Sequence, residues 1–232
     1  MSHEHQKPVK IFYHIYCNEN TKQIVIDQIN KIMFSGLYEN TQQIFCFITG
    51  KQIHIHEISK LIQIIQRSGK KYLVVAVGID DTSYERFTLL KIREYISPGE
   101  KILYIHSKGV SHDNTIQYQG WVPGLPTIKE NVSNWRTFME YYLIAKHPVC
   151  IKLLDDYDII GVNYGELPPH FAGNFWWATS DYFLTLDNHI GDGYCDAEFY
   201  VCTKPHKPYS LITCKKACYS DNINYIDYAD TI

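Results

Sequence analysis

The chain has 232 residues, 45% hydrophobic and 20% charged, which suits one large α/β domain with a full core and excludes a disordered chain. Its formal net charge of −3 argues against an extensive nucleic-acid surface but leaves room for a small anionic ligand in a local basic pocket. No stretch is long and apolar enough to span a bilayer, and the opening MSHEHQKPVK lacks a secretory apolar core, so residues 1–8 read as a flexible tail and the protein as cytoplasmic.

The first half alternates regularly. Val9 to Cys17 is a near-continuously apolar run, as a central parallel strand requires. Thr21 to Phe34 carries Ile24, Val25, Ile29, Ile32 and Met33 at helical spacing and stops at Ser35-Gly36. Gln43 to Thr49 is a second strand, and His56 to Arg67 a second helix ended by Ser68-Gly69. Tyr72 to Val77 is a third strand. Ser83 to Ile96 is expected as a third helix, with Thr82 or Ser83 as N-cap and Glu85 in its first turn. The fourth strand opens the stretch KILYIHSKGVSH, Lys101 to His112, as the apolar run Ile102 to Ile105, and stops at His106-Ser107-Lys108-Gly109. Four strands alternating with three helices predict a parallel sheet with right-handed crossovers. No Gly-x-Gly-x-x-Gly and no P-loop follows any of these strands, so a dinucleotide fingerprint and a P-loop are disfavoured.

The second half is less regular. Residues 111–129 read as loop, Asn131 to His147 as a helix, Tyr157 to Asn163 as a fifth strand and Ser180 to Leu186 as a short helix. After Lys204-Pro205-His206 the chain is polar and irregular. The cysteines number seven. Cys17, Cys46, Cys150 and Cys202 sit in or beside apolar runs and read as buried small hydrophobes, while Cys214 and Cys218 have no second pair at metal-site spacing, which points to a reducing compartment.

The candidate ligand residues cluster at strand ends, where open α/β sheets bind their ligands. The fourth strand runs into His106-Ser107-Lys108-Gly109: an imidazole, a hydroxyl, an ammonium for a phosphate, and a glycine that allows close approach. Tyr16 ends the first strand and can stack on a nucleobase, as can Tyr84. Asp80 and Asp81 follow the third strand, as ligands for base or ribose or as helix N-terminal charge. Trp176 and Trp177 are consecutive and face opposite ways in extended chain; as bare residues both read as core.

Four of these segments together resemble a known pattern: His106-Ser107-Lys108 at a strand end, Trp135-Arg136 on a helix, Ala172-Gly173-Asn174-Phe175-Trp176-Trp177, and the acidic pair in Asp196-Ala197-Glu198. The chain is similar to GT-A-type glycosyltransferases, in particular to small glycosyltransferase domains of large DNA viruses and to bacterial rhamnan-synthesis F proteins. The resemblance implies a GT-A-like (Rossmann-like), mostly parallel sheet flanked by helices in one domain over residues 9–232. It implies a nucleotide-binding half (9–110), an acceptor half (111–210) and a C-terminal tail (211–232). It implies transfer of a sugar from a nucleotide-diphosphate donor, such as a UDP-sugar, to a glycan or protein-linked acceptor, in the host cytoplasm if the protein is viral. An inactive nucleotide-sugar- or glycan-binding module of the same fold is the alternative. On this resemblance Asn174 binds sugar hydroxyls, Trp176 or Trp177 walls the sugar pocket, and Asp196, or Glu198, serves as the acceptor-side base. The family usually ends its fourth strand in Asp-x-Asp holding Mn or Mg; here His106-Ser107-Lys108 stands there. Two readings stay open: Lys108 replaces part of the metal's charge, or a metal is held with His106 and His206 among its ligands.

Overall fold

The computed structural model describes residues 7–80, 82–110, 129–216, 221 and 223–229. The chain runs through β1 (Val9–Cys17), α1 (Thr21–Phe34), α2 (Leu37–Asn40), β2 (Thr41–Gly50), α3 (Ile55–Arg67), β3 (Tyr72–Ile79), α4 (Arg86–Leu89) and β4 (Lys101–His106). It continues through α5 (Lys129–Glu140), α6 (His147–Leu153), β5 (Ile159–Gly161), β6 (Tyr164–Glu166), β7 (Pro169–Phe171), β8 (Trp176–Thr179), α7 (Ser180–Phe183), α8 (Asp196–Phe199) and β9 (Pro208–Ser210).

Seven strands form one sheet in the order β3-β2-β1-β4-β8-β5-β9; β6 and β7 make a separate hairpin. β1, β2, β3 and β4 are mutually parallel, while β8 is antiparallel to both β4 and β5. The near-continuous apolar runs are explained by burial on both faces. One face puts Ile11, Tyr13, Ile15, Leu103, Ile105 and Trp177 into a core with α1, α3 and α5. The other puts Phe12, Phe45, Phe47, Tyr104 and Trp176 against Leu89, Ile92, Phe183 and Tyr200. Cys17, Cys46, Cys150 and Cys202 are buried, as their apolar surroundings in the sequence suggest. Cys218 lies outside the described residues. No helix among the described residues is long and apolar enough to cross a membrane.

Two expected helices differ. Ser83 to Ile96 is not one helix: only Arg86–Leu89 is α-helical, with a 3-10 turn at Ile92–Glu94. Its start is set by Tyr84, which has φ +47°, and by Glu85, whose carboxylate turns inward to bond the Tyr104 hydroxyl rather than resting at a helix surface. The helix expected over Asn131 to His147 begins at Lys129, passes into a π-helical turn at Tyr141–Ala145 and restarts as α6. Pro148 lacks the N–H that an uninterrupted helix needs, so it occupies the first turn of a new one.

Candidate functional site

In the order β3-β2-β1-β4 the chain works outward from β1 to β3 and then crosses back to β4. The topological switch point therefore lies between β1 and β4, and the crevice beyond their carboxyl ends is where such sheets bind ligands. His106, Ser107 and Lys108 sit there. Ser107 adds one more rung between the two strands: its N–H donates to the His14 carbonyl at 3.0 Å, and its Oγ accepts from the Tyr16 N–H at 2.9 Å. This is a structural use of the hydroxyl, and it fixes Tyr16 at the end of β1. Gly109 has φ +88°, and a Cβ there would lie 2.8 Å from Val132 of α5, so both conformation and space select glycine.

Helix α5 supports the turn. The Lys108 ammonium lies 4.2 Å over the Trp135 ring. Arg136 Nη1 donates to the Lys108 carbonyl at 2.7 Å, and its Nε lies 3.6 Å from Glu140 Oε1. Glu140, only 1% exposed, is also ion-paired with Lys31 and accepts from Gln28 Nε2 at 2.8 Å. Gln28 in turn donates to the His106 carbonyl at 3.1 Å and accepts from Tyr13. Four polar side chains from α1 and α5 thus clamp the backbone on either side of Ser107. Arg136 thus pairs within its own helix with Glu140 and also reaches the strand-end turn.

His106 is buried, with its ring edge-on to Phe175 at 4.9 Å. Its Nε2 meets the Gly173 carbonyl at 2.9 Å; a carbonyl only accepts, so Nε2 carries the hydrogen. Burial first, then the Lys108 charge, lowers its pKa to about 3, so the imidazole is neutral. The contact reaches the second half of the chain, where Gly173 and Asn174 both have positive φ, +87° and +54°. Asn174 is fully engaged: its Oδ1 accepts from Trp176 Nε1 at 2.9 Å, and its Nδ2 donates to Glu85 Oε2 and, at 3.3 Å, to the Ala197 carbonyl.

Glu85 is the site residue that the sequence reading passed over. Its Oε2 also accepts from Tyr104 at 3.1 Å, and its Oε1 lies 3.5 Å from His106 Nε2. Burial raises its pKa above the usual carboxylate range, opposed by His14, Lys108 and its two hydrogen-bond donors. About a fifth of the side chain, 21%, remains exposed, and it faces a cavity of ≈ 110 Å³. Tyr84, Lys108, Asn174, Tyr194 and Glu198 share that cavity. Glu198 Oε1 accepts from the Gly173 N–H at 2.6 Å. On the other side of Gly109 a larger cavity of ≈ 530 Å³ opens beside the start of α1, bordered by Asn20, Lys22 and Arg136.

Several expected ligand residues are used otherwise. Trp176 and Trp177 are both 0% exposed and line neither of these two cavities; Trp176 stacks on Tyr104 and Phe183, and Trp177 donates to the Leu143 carbonyl at 2.9 Å. Asp80 caps its own turn, accepting from Thr82 N–H at 2.7 Å and Ser83 N–H at 3.2 Å, and the Ser83 and Thr82 hydrogen bonds hold its pKa at about 2. Asp81 and His112 lie outside the described residues. Asp196 and Glu198 are in a helix, so they diverge: Asp196 Oδ2 turns back to the Gly193 N–H at 2.8 Å, and only Glu198 meets the cavity. His206 has both ring nitrogens engaged, with Tyr164 hydroxyl at 2.9 Å and Lys204 carbonyl at 2.6 Å. With both ring nitrogens of His206 engaged, these two histidines do not fit a shared Mn or Mg site. Among the described residues no group of three or more His, Cys, Asp or Glu has the arrangement to hold a metal ion.

Comparison with known proteins gives three findings. No curated protein matches the chain. Among the solved structures similar to it over most of its length are two crystal structures. One is Rv0371c from Mycobacterium tuberculosis H37Rv, 9% identical, TM-score 0.48, covering 90% of each chain. The other is an Rv0371c homolog from Mycobacterium sp. strain JC1, 9% identical, TM-score 0.42, covering 88% of this chain and 85% of that one. A family match spans residues 12–188, from β1 through the switch point and both walls of the His106–Gly173 contact to just beyond α7, and on that extent the chain belongs to the family described as "Domain of unknown function (DUF8361)".

Proposed function

We propose that the protein is a GT-A-like glycosyltransferase that moves a sugar from a nucleotide-diphosphate donor to a hydroxyl of a glycan or protein-linked acceptor in the cytoplasm. The observation that carries this reading is the meeting of Lys108, Glu85 and Glu198 at one cavity beside the β1–β4 switch point. Nucleotide ligands favour that position in doubly wound sheets. The motif order that resembles glycosyltransferases supplies the reaction class. The larger cavity beside α1 suits the nucleotide, and the small one suits the reacting sugar.

In this reading the acceptor oxygen loses its proton to Glu198 as it bonds to the anomeric carbon. The bond from that carbon to the phosphate oxygen breaks, and its electron pair leaves on the diphosphate. Lys108 stabilises that charge as a point cation, held over Trp135 and fixed through its carbonyl by Arg136. Asp196, first choice for the base on sequence grounds, yields that role to Glu198 because its carboxylate closes the 191–193 loop. Release of free nucleoside diphosphate from a panel of donors, with and without Mn, tests the reading. Binding of donors without release, across a broad acceptor panel, would leave the inactive binding module instead.

A further inference from the structure

The walls of the small cavity specify the chemistry of what fills it. Two acidic residues, Glu85 and Glu198, and one basic residue, Lys108, line it. An ionised carboxylate only accepts hydrogen bonds, and an ammonium only donates them. A ligand that satisfies both walls needs groups that donate and accept together, and adjacent hydroxyls do so. The volume, ≈ 110 Å³, is far below the roughly 300 Å³ at which pockets for larger ligands begin, so the cavity takes one ring and not a nucleotide.

Glu85 is the most firmly placed of these walls. Its Oε2 is held by the Tyr104 hydroxyl and the Asn174 amide, and Asn174 is itself held by the buried Trp176 indole. Its Oε1 lies near His106 Nε2, but that hydrogen is directed to the Gly173 carbonyl at 2.9 Å, so Oε1 keeps acceptor capacity toward the cavity. Keeping a carboxylate here works against its desolvation, as the raised pKa records. A glutamine would fill the same space without that penalty. At the mouth, Tyr84 holds a left-handed backbone at φ +47° and packs edge-to-face on Tyr194 at 5.8 Å. Both rings are exposed, 48% and 75%, and offer apolar faces to the C–H groups of a saturated ring.

We infer that Glu85 is the specificity-determining residue of a one-sugar subsite: its Oε1 takes adjacent hydroxyls of the donor's pyranose, while Tyr84 and Tyr194 cover the ring's apolar side. The inference rests on the proposed function for what the sugar is attached to, and on the cavity's own walls for the sugar itself.

The test is binding, not turnover. A panel of uridine, guanosine and deoxythymidine diphosphate sugars, each beside its free nucleoside diphosphate, is titrated calorimetrically into the parent, Glu85→Gln and Tyr194→Ala. The parent should prefer one sugar. Glu85→Gln should weaken that donor tenfold or more, the scale of a hydrogen bond to a charged group, and leave the free nucleoside diphosphate within about twofold. Tyr194→Ala alters an exposed side chain, keeps the fold, and should weaken the same donor several-fold. Donor affinities unchanged in both variants, or an equal loss for donor and free nucleoside diphosphate, would overturn the inference and leave the transferase reading intact. A parent that binds sugar nucleotides through Glu85 but never releases nucleoside diphosphate would overturn the transferase reading and leave the subsite standing. A parent that binds no sugar nucleotide overturns both.

Discussion

Glu140→Gln probes the support under the Lys108 turn most directly. The substitution keeps the shape of the side chain but removes its charge in a site 1% exposed. Three donors meet that carboxylate: Lys31, Arg136 and Gln28. A glutamine satisfies one or two of them and turns its own amide hydrogens toward the rest. Lys31 is 38% exposed, so water takes over its solvation and its share is that of a surface pair, about 0–1 kcal/mol. Arg136 is 9% exposed and loses its buried counter-charge, an event that costs about 3–5 kcal/mol. It keeps hydrogen bonds to the Lys108 carbonyl and Ser133 Oγ, which places the loss at the lower end, about 3 kcal/mol. For a chain of this size that lowers Tm by roughly 6–12 °C. Urea unfolding followed by tryptophan fluorescence reads the difference, with an unchanged m-value as the control for the denatured state. Arg136→Met in a double-mutant cycle isolates the coupling. A loss under about 1 kcal/mol, or strict additivity of the two substitutions, would refute the account of the clamp.

Three further expectations concern titration and chemistry. His14 and His106 are buried neutral, with pKa values lowered to about 4 and about 3, mainly by burial. Below about pH 6.5 the unfolded chain binds protons that the folded one refuses, so each should cost about 1.4 kcal/mol of stability per pH unit as pH falls toward 4, with Glu85 acting in the opposite sense. His14→Gln should flatten that slope measurably; an unchanged slope counts against a neutral His14. Lys108→Ala should lower nucleoside diphosphate release by tenfold or more, with about 0.5–1 kcal/mol of stability lost through its contact with Trp135. Parental turnover in that variant would remove Lys108 from the chemistry. Glu198→Gln should lower transfer by about a hundredfold or more with donor affinity retained, and Asp196→Asn should not; the reverse ranking would restore Asp196 as the base.

The parallel half of the fold is legible because strands buried on both faces are written as unbroken apolar runs, and the first four strands coincide with such runs to within about two residues. β5 lies inside the apolar run Tyr157 to Asn163, whereas β6 to β9 are three or four residues each and depend on pairing partners far away in sequence, so no local pattern marks them. The site divides in the same way. His106 and Lys108 are visible because they end an apolar run. Glu85 is not visible, because it sits in a segment with helical periodicity and becomes a cavity wall only through Tyr104 and Asn174, on β4 and the turn before β8. The opposed faces of Trp176 and Trp177 follow from strand geometry, whereas their complete burial needs both sheet faces to be covered. The choice between Asp196 and Glu198 turned on whether their segment is extended or helical, which six residues of sequence do not decide.

The same two tryptophans act as a ruler for the cavity. Leu103 lies opposite Trp177 and Tyr104 opposite Trp176, each indole in a different core. Sliding β8 by one residue along β4 would exchange the cores that the two rings enter, which neither is shaped to accept. It would also carry the wall formed by Gly173 and Asn174 about 3.3 Å along β4, away from His106 and Glu85. The two largest side chains of the sheet, though fully buried, thereby set the spacing between the halves of the molecule that meet at the cavity. Trimming either indole is expected to show itself first as lost alignment of Glu85 with Lys108, before the protein unfolds.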